Sequence, residues 1–414
     1  MMTDDELSGL LQQLERSTPS DTDALERVFG DVDAERRKTV GRHRRHLGLL
    51  AVLDRMRWST NLHGPVPAAL LIAGLLIAAL SVGLLVGALA QPRPPIPQRI
   101  DAPLLIRPAT VQIKPGAEVS ISGRPGRLAV YDGSVWVADG GALTRIDPAR
   151  GTVLSTEDIG SGRLTVAAGP AGLWVASLED GTVRGPIETT AADAPSIPVE
   201  RPEYLAVGAD DIWVSSPGTG NLTRIQASTG RVVAIVPLGN APSGITLTDR
   251  EVLVGHDHSV VDAAPGPHDG AITIVDRVAN VVIDDIPVTS GFGYVRDILI
   301  VGGDLWYVDA NIGSLVRVDR ANMSSANVIA VAERIEGATM TDGLIWMTIN
   351  PSGEHSALVG YDPAAGGFTA ALGPADLAPS STVGLGAVAS FDGSLWVAAD
   401  WPSRRAILRV EIPG

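Results

Sequence analysis

The 414-residue sequence contains no cysteine. That excludes disulfides, thiolate nucleophiles and cysteine-based zinc sites. A domain of about 300 residues can bury enough apolar surface to do without cross-links. Lysine is nearly missing too: apart from Lys38 and Lys114, every basic residue is arginine. With abundant Ala, Gly and Val, that bias marks a GC-rich bacterial genome. Aromatic residues are only 4% of the chain, yet tryptophan, with 8, outnumbers tyrosine at 5 and phenylalanine at 4. There is no serine nucleophile elbow or phosphate-cradling loop, and residues 1–65 contain no kinase motif. Positive charge is also short, at a formal net −15. Residues 1–65 hold 10 basic and 11 acidic residues, leaving 22 basic and 36 acidic for the remainder. A region that acidic repels phosphate backbones, so no nucleic acid is expected as a partner.

What the chain does have is one long apolar run. Ala68–Ala90 is 23 residues without a charge, about 34 Å as a helix, against a hydrocarbon core of about 30 Å. A single transmembrane α-helix is therefore expected at 66–90, with the lipid bilayer as a partner. Ala88, Leu89 and Ala90 have the small-x-small form of a cleavage site, but the run is long and starts far from the N-terminus, which favours an anchor. Ala79, Gly83 and Gly87 recur every four residues, a spacing that permits close helix pairing.

Residues 1–65 read as a short helical cytoplasmic arm, partly disordered, able to dock a cytoplasmic partner. Leu7, Leu10, Leu11 and Leu14 fall at helical spacing, and Ala24, Leu25, Val28 and Phe29 share a second face. Arg36, Arg37, Lys38, Arg42, Arg44, Arg45, Arg55 and Arg57 precede the span, and only Arg93, Arg99 and Arg107 follow it closely. The excess stays cytoplasmic, so the N-terminus is expected inside and the C-terminus outside the plasma membrane. Residues 91–110, rich in proline, form a stiff extracytoplasmic stalk.

Residues 111–414 repeat one pattern. Strands centred on Trp136, Trp174, Trp213, Trp306, Trp346 and Trp396 recur, and Leu253 takes the tryptophan place in a seventh copy. The successive intervals are 38, 39, 40, 53, 40 and 50 residues. Seven copies of about 40 residues with four strands each predict an all-β, seven-bladed β-propeller. Asp132-Gly133, Asp342-Gly343 and Asp392-Gly393 read as tight hairpins between first and second strands. The last copy stops after its third strand at 406–412, while a strand at 118–121 precedes the first copy. That N-terminal strand is expected to complete the seventh blade and close the ring. The tryptophans are expected in the core between blades.

The recurring Trp-Val and Ile-Asp-Pro-x-x-Gly-x-Val texture over roughly 110–414 resembles the bacterial YncE/YVTN and virginiamycin B lyase-like propellers. The resemblance implies the propeller fold. For the lyases it implies histidine and glutamate acting with Mg²⁺ to open a macrocyclic lactone. Those enzymes carry Trp-Phe-Thr-Glu in the second strand. Here the strand reads Trp-Val-Ala, so no catalytic residue carries over.

Candidate site residues fall in the loops after second strands. The fourth copy carries His256, His258 and His268 among Asp257, Asp262 and Asp269. The sixth carries Glu354 and His355, and the seventh Asp400, Trp401, Arg404 and Arg405. All are expected on one face as ligand contacts. His256, His258 and His268 are candidates to hold a divalent metal, since neutral imidazole and carboxylate suit Zn²⁺ or a similar ion. Their spacing matches no defined zinc signature, and a solvated Gly/Pro/His/Asp insertion is the other reading. The expected function is a membrane-anchored extracytoplasmic propeller acting as a binding, sensor or scaffold module of the cell envelope. It would take an unknown extracytoplasmic ligand or protein. The alternative is a metal-dependent lyase or hydrolase.

Overall fold

The computed structural model describes residues 114–412, except 122, 124, 189, 192, 240, 259–271, 288–292, 351–355 and 373–382. The described residues form 28 strands in seven four-stranded antiparallel sheets. Blades 1 to 6 cover 125–158, 164–198, 204–237, 242–286, 295–330 and 334–372 in turn. Blade 7 takes three strands from 384–411 and its fourth, outermost strand from Lys114–Ile121. First strands touch in sequence around a closed circuit, blade 7 meeting blade 1. Among the described residues no helix is long and apolar enough to cross a membrane. The expected span and cytoplasmic arm lie outside those residues.

The ring follows from the second strands. Ser134–Asp139, Gly172–Ser177 and Asp211–Ser216 are buried at every position, because side chains alternate between two faces and each face meets a neighbouring blade. The six repeat tryptophans are at most 4% exposed. Each packs against the next blade: Trp136 on Leu173 and Val175, Trp174 on Ile212 and Val214, Trp213 on Val252 and Val254. Trp306 packs with Ile345 and Met347, Trp346 with Leu395 and Val397, and Trp396 with Val135 and Val137. Truncating a buried indole of this kind to alanine costs about 3–5 kcal/mol.

Between blades 4 and 5 the chemistry changes. Leu253 replaces the tryptophan, and the position opposite, valine or methionine in the other blades, is Tyr307 in blade 5. The bulk lost on one side of the interface is restored on the other.

Across each sheet the third strand meets the tryptophan with either arginine or glycine. Arg145, Arg224, Arg317 and Arg409 pair with Trp136, Trp213, Trp306 and Trp396. The guanidinium groups of Arg145 and Arg224 lie 5.3 and 5.4 Å from the ring centroids of Trp136 and Trp213. All four arginines bond to the residue that opens the second strand: Ser134 at 2.9 Å, Asp211 at 3.0 Å, Asp304 at 2.8 Å and Ser394 at 3.2 Å. In blades 2 and 6 glycine leaves room for the indole. A Cβ on Gly185 would fall 2.4 Å from Trp174, and one on Gly360 would fall 3.1 Å from Trp346.

Closure and turns match the sequence reading. Glu118–Ile121 pairs antiparallel with Leu408–Arg405, and Val119 joins a core shared with blade 1. The hairpin residues Asp132 and Gly133 both have positive φ, 47° and 65°, as do Asp342-Gly343 and Asp392-Gly393. A two-residue turn of that hand fits the twist of the flanking strands.

Two predictions follow from this packing. Leu253→Trp alone overpacks against Tyr307 and should cost about 1–3 kcal/mol; Tyr307→Val alone leaves a void. In chemical denaturation the double variant should recover at least about 1 kcal/mol of the summed losses. Strict additivity would contradict the compensation.

Asp211 gives the second. Burial opposes its ionisation, but bonds from Arg277 and Trp213 and the charges of Arg277 and Arg224 outweigh that and hold the carboxyl below the usual range. Because its folded pKa is depressed, Asp211 contributes stability above its unfolded pKa, lost as pH falls through the folded value. Asp211→Asn should therefore be less stable than wild type at about pH 7, with the gap closing towards about pH 3. A gap that does not change with pH would contradict the assignment.

Candidate functional site

A propeller ring leaves an axial channel lined by first strands. Counting two residues back from each partner of the central Trp or Leu gives one equivalent position per blade: Arg127, Thr165, Tyr204, Gly244, Asp297, Gly337 and Ala387. Blades 1, 3 and 5 thus supply large polar groups, and the other blades supply small residues. The large groups meet inside the ring. Arg127 Nη1 lies 2.9 Å from Asp297 Oδ1, and its guanidinium stands 5.2 Å from the ring centroid of Tyr204. The second Asp297 oxygen accepts the Ala338 N–H at 3.1 Å. The Tyr204 and Tyr294 hydroxyls hydrogen-bond to each other.

This belt stands between two cavities. Arg127, Tyr204 and Arg296 border both a chamber of about 1020 Å³ and a smaller space of about 280 Å³ along the first strands. The larger chamber opens where first strands begin and second strands end, the face expected to carry ligand contacts. Among the described residues, six of the seven blades contribute to it. Its volume is at the upper end of the range for small-molecule sites.

Its polar wall is a set of ion pairs. Arg163 Nη2 lies 3.0 Å from Glu203. Glu336 takes Arg334 Nε at 2.6 Å, Arg296 Nη1 at 3.3 Å and Asn350 Nδ2 at 3.1 Å. Arg405 Nε reaches Asp400 at 3.2 Å. Blade 7 adds the apolar Val383, Leu385, Ala387 and Trp401, each at most 6% exposed, beside its own Asp400–Arg405 pair. Burial pushes the Glu203 carboxyl up, and the charge of Arg163 only partly opposes it. Burial, then the neighbouring Tyr294 and Glu203, pushes the Tyr204 phenol well above its ordinary value. Arg127 is also raised: burial works against its charge, but Asp297 and the two tyrosines outweigh it. The chamber floor is therefore a guanidinium held charged beside neutral phenols.

The residues singled out from sequence take several positions. Trp401 and Arg405 line the chamber. Arg404 stacks on Trp401, 4.4 Å from its ring centroid, and pairs with Glu118 of the closing strand at 2.8 Å. His256 is fully buried, its Nε2 2.9 Å from Thr273 Oγ1, which in turn donates to Asp285 at 2.6 Å. His258 is half-buried, its ring centroid 6.2 Å from that of His256. His268, Glu354 and His355 lie outside the described residues, so a His256–His258–His268 metal centre has no geometry here. Among the described residues no group of three or more His, Asp or Glu could hold a metal ion.

Sequence reasoning missed Arg127, Arg163, Glu203, Tyr204, Arg296 and Glu336. The available signal was polar residues opening apolar inner strands, as in Arg127-Leu128 and Tyr204-Leu205.

No protein-family model matches the chain, and no curated protein matches it. Of what the YncE-like and lyase-like resemblance implied, the structure shows the seven-bladed propeller fold.

Arg127→Leu strands the Asp297 carboxylate in the channel. It should lower stability by about 1–3 kcal/mol in urea denaturation, and adding Asp297→Leu should recover much of that loss. A double variant no better than Arg127→Leu would show that the pair is not the channel's brace.

Proposed function

We propose that this protein is a single-pass, membrane-anchored extracytoplasmic propeller of the bacterial envelope that binds a ligand in the chamber at the channel mouth. The observation that carries the reading is the chamber itself: about 1020 Å³, lined by both charged and apolar groups. Such convergence of a few polar groups in a concave, partly apolar space is the usual form of a binding site. Anchoring rests on the uncharged run at 68–90 and the basic cluster before it.

The scaffold reading has separate support on the outer rim. Fourth strands of blades 1, 3 and 4 expose Leu154, Val233, Ile235, Val281 and Ile283, each more than half exposed. Apolar side chains on free sheet edges suit contact with another protein.

The chamber reading is tested with the full chain in lipid nanodiscs, screened by saturation-transfer NMR against cationic, neutral and anionic fragments. Gly384 lines the chamber, and a Cβ there meets only Asp400 O at 3.6 Å. Gly384→Phe therefore adds bulk without a clash at Cβ. A subset of fragments should bind wild type and be lost in Gly384→Phe. Identical binding by both proteins would remove the chamber as the site. In cells the chain should stay with membranes after an alkaline carbonate wash; release by the wash would contradict anchoring.

A further inference from the structure

The chamber carries the opposite charge balance to the domain around it. Residues 66–414 hold 22 basic and 36 acidic residues. Among the described residues the chamber is lined by five arginines, at 127, 163, 296, 334 and 405, against Glu203, Glu336 and Asp400. Adding Asp297 from the belt still leaves guanidinium groups in excess.

The excess has an address. Arg127, Arg163 and Arg405 each have a carboxylate partner in Asp297, Glu203 and Asp400. Arg296 and Arg334 share Glu336, which also accepts from Asn350. Arg296 Nε is buried with no hydrogen-bond acceptor, and Asp297 Oδ2 is 4.0 Å from it. Glu336 and Asp297 thus face three guanidiniums, those of Arg127, Arg296 and Arg334, which leaves a positive charge at this point of the wall. Arg163 and Arg334 stand at the rim with side chains 60% and 58% exposed, while Arg127 and Arg296 lie deeper at 28% and 18%. Exposed cations outside buried ones draw an anion inward. Guanidinium groups held by carboxylates are already oriented, so little side-chain entropy is lost when an anion arrives.

We propose that the chamber takes a small organic anion, its carboxylate or phosphate group on Arg296 and Arg334 and its apolar body against Leu385 and Trp401 of blade 7. The proposal rests on the chamber being the ligand site and names the chemistry of its ligand. Arginine binds either group through paired N–H donors. The apolar wall selects against the bare inorganic ion.

The test uses the full chain in nanodiscs of zwitterionic lipid, with benzoate, phenyl phosphate, inorganic phosphate, benzyl alcohol and benzylamine as calorimetric probes. Benzoate or phenyl phosphate should bind, the tighter of the two assigning the acid group. Benzyl alcohol and benzylamine should bind at least about tenfold more weakly. Arg296→Gln and Arg334→Gln should each weaken the anion about tenfold, with Arg296→Lys falling between wild type and Gln. Arg334 is mostly exposed, so its variant keeps the test valid even if Arg296→Gln unfolds. Inorganic phosphate binding as tightly as phenyl phosphate would overturn the apolar wall's role. Neutral or cationic probes that bind as well as benzoate and are lost in Gly384→Phe would overturn the anion while leaving the chamber as a site. If Gly384→Phe changes no probe's binding, both readings fall.

Discussion

A four-stranded sheet that is apolar on both faces has to be covered twice, and in this molecule each blade is covered by its two neighbours. The tryptophan at the centre of the second strand fills the gap to the next blade, and nearly every other feature adapts to it. The third strand offers it either an arginine tied to the start of the second strand, as with Arg224 and Asp211, or a glycine, as at Gly360. Where Leu253 stands in its place, Tyr307 supplies the missing volume from the opposite side. A ring of this kind cannot leave one blade short, because a free edge would pair with other chains. The strand Lys114–Ile121 removes that edge by completing blade 7.

Closing the ring creates the chamber. Seven first strands converge on an axis where apolar packing ends, and the residues that face inward there must satisfy one another. Arg127 and Asp297 meet across the channel, 170 positions apart in sequence, and Tyr204 and Tyr294 bond beside them. The belt they form gives the upper chamber a floor. Blades 1 to 3, 5 and 6 contribute charge and hydrogen bonds to the chamber, and blade 7 contributes apolar residues beside its Asp400–Arg405 pair.

The fold was legible because its determinants are periodic and local. Tryptophan recurs near every 40 residues, Asp-Gly marks the hairpins, and the missing fourth strand after residue 412 is offset by a spare one before residue 125. The channel was not legible in the same way, since which blades face each other depends on the closed ring and not on neighbouring residues. Arg127 and Asp297 are unremarkable in sequence, one opening an inner strand and the other near the start of another. His256 shows the converse problem. Its His-Asp-His context suggests a ligand, yet the register sets it opposite Pro242 with its ring directed to Thr273. The blade 7 loop was simpler: of its four singled-out residues, Asp400, Trp401 and Arg405 line the chamber, and Arg404 turns to the closing strand.

The most direct measurement of the central claim is an experimental structure of the full chain with 4-iodobenzoate, located by the anomalous scattering of its iodine. The account predicts one site inside the chamber, the carboxylate within hydrogen-bonding distance of Arg296 or Arg334 and the iodinated ring on the blade 7 wall. Iodine found only on the outer strands, or a ring in the chamber with its carboxylate turned away from both arginines, would contradict it.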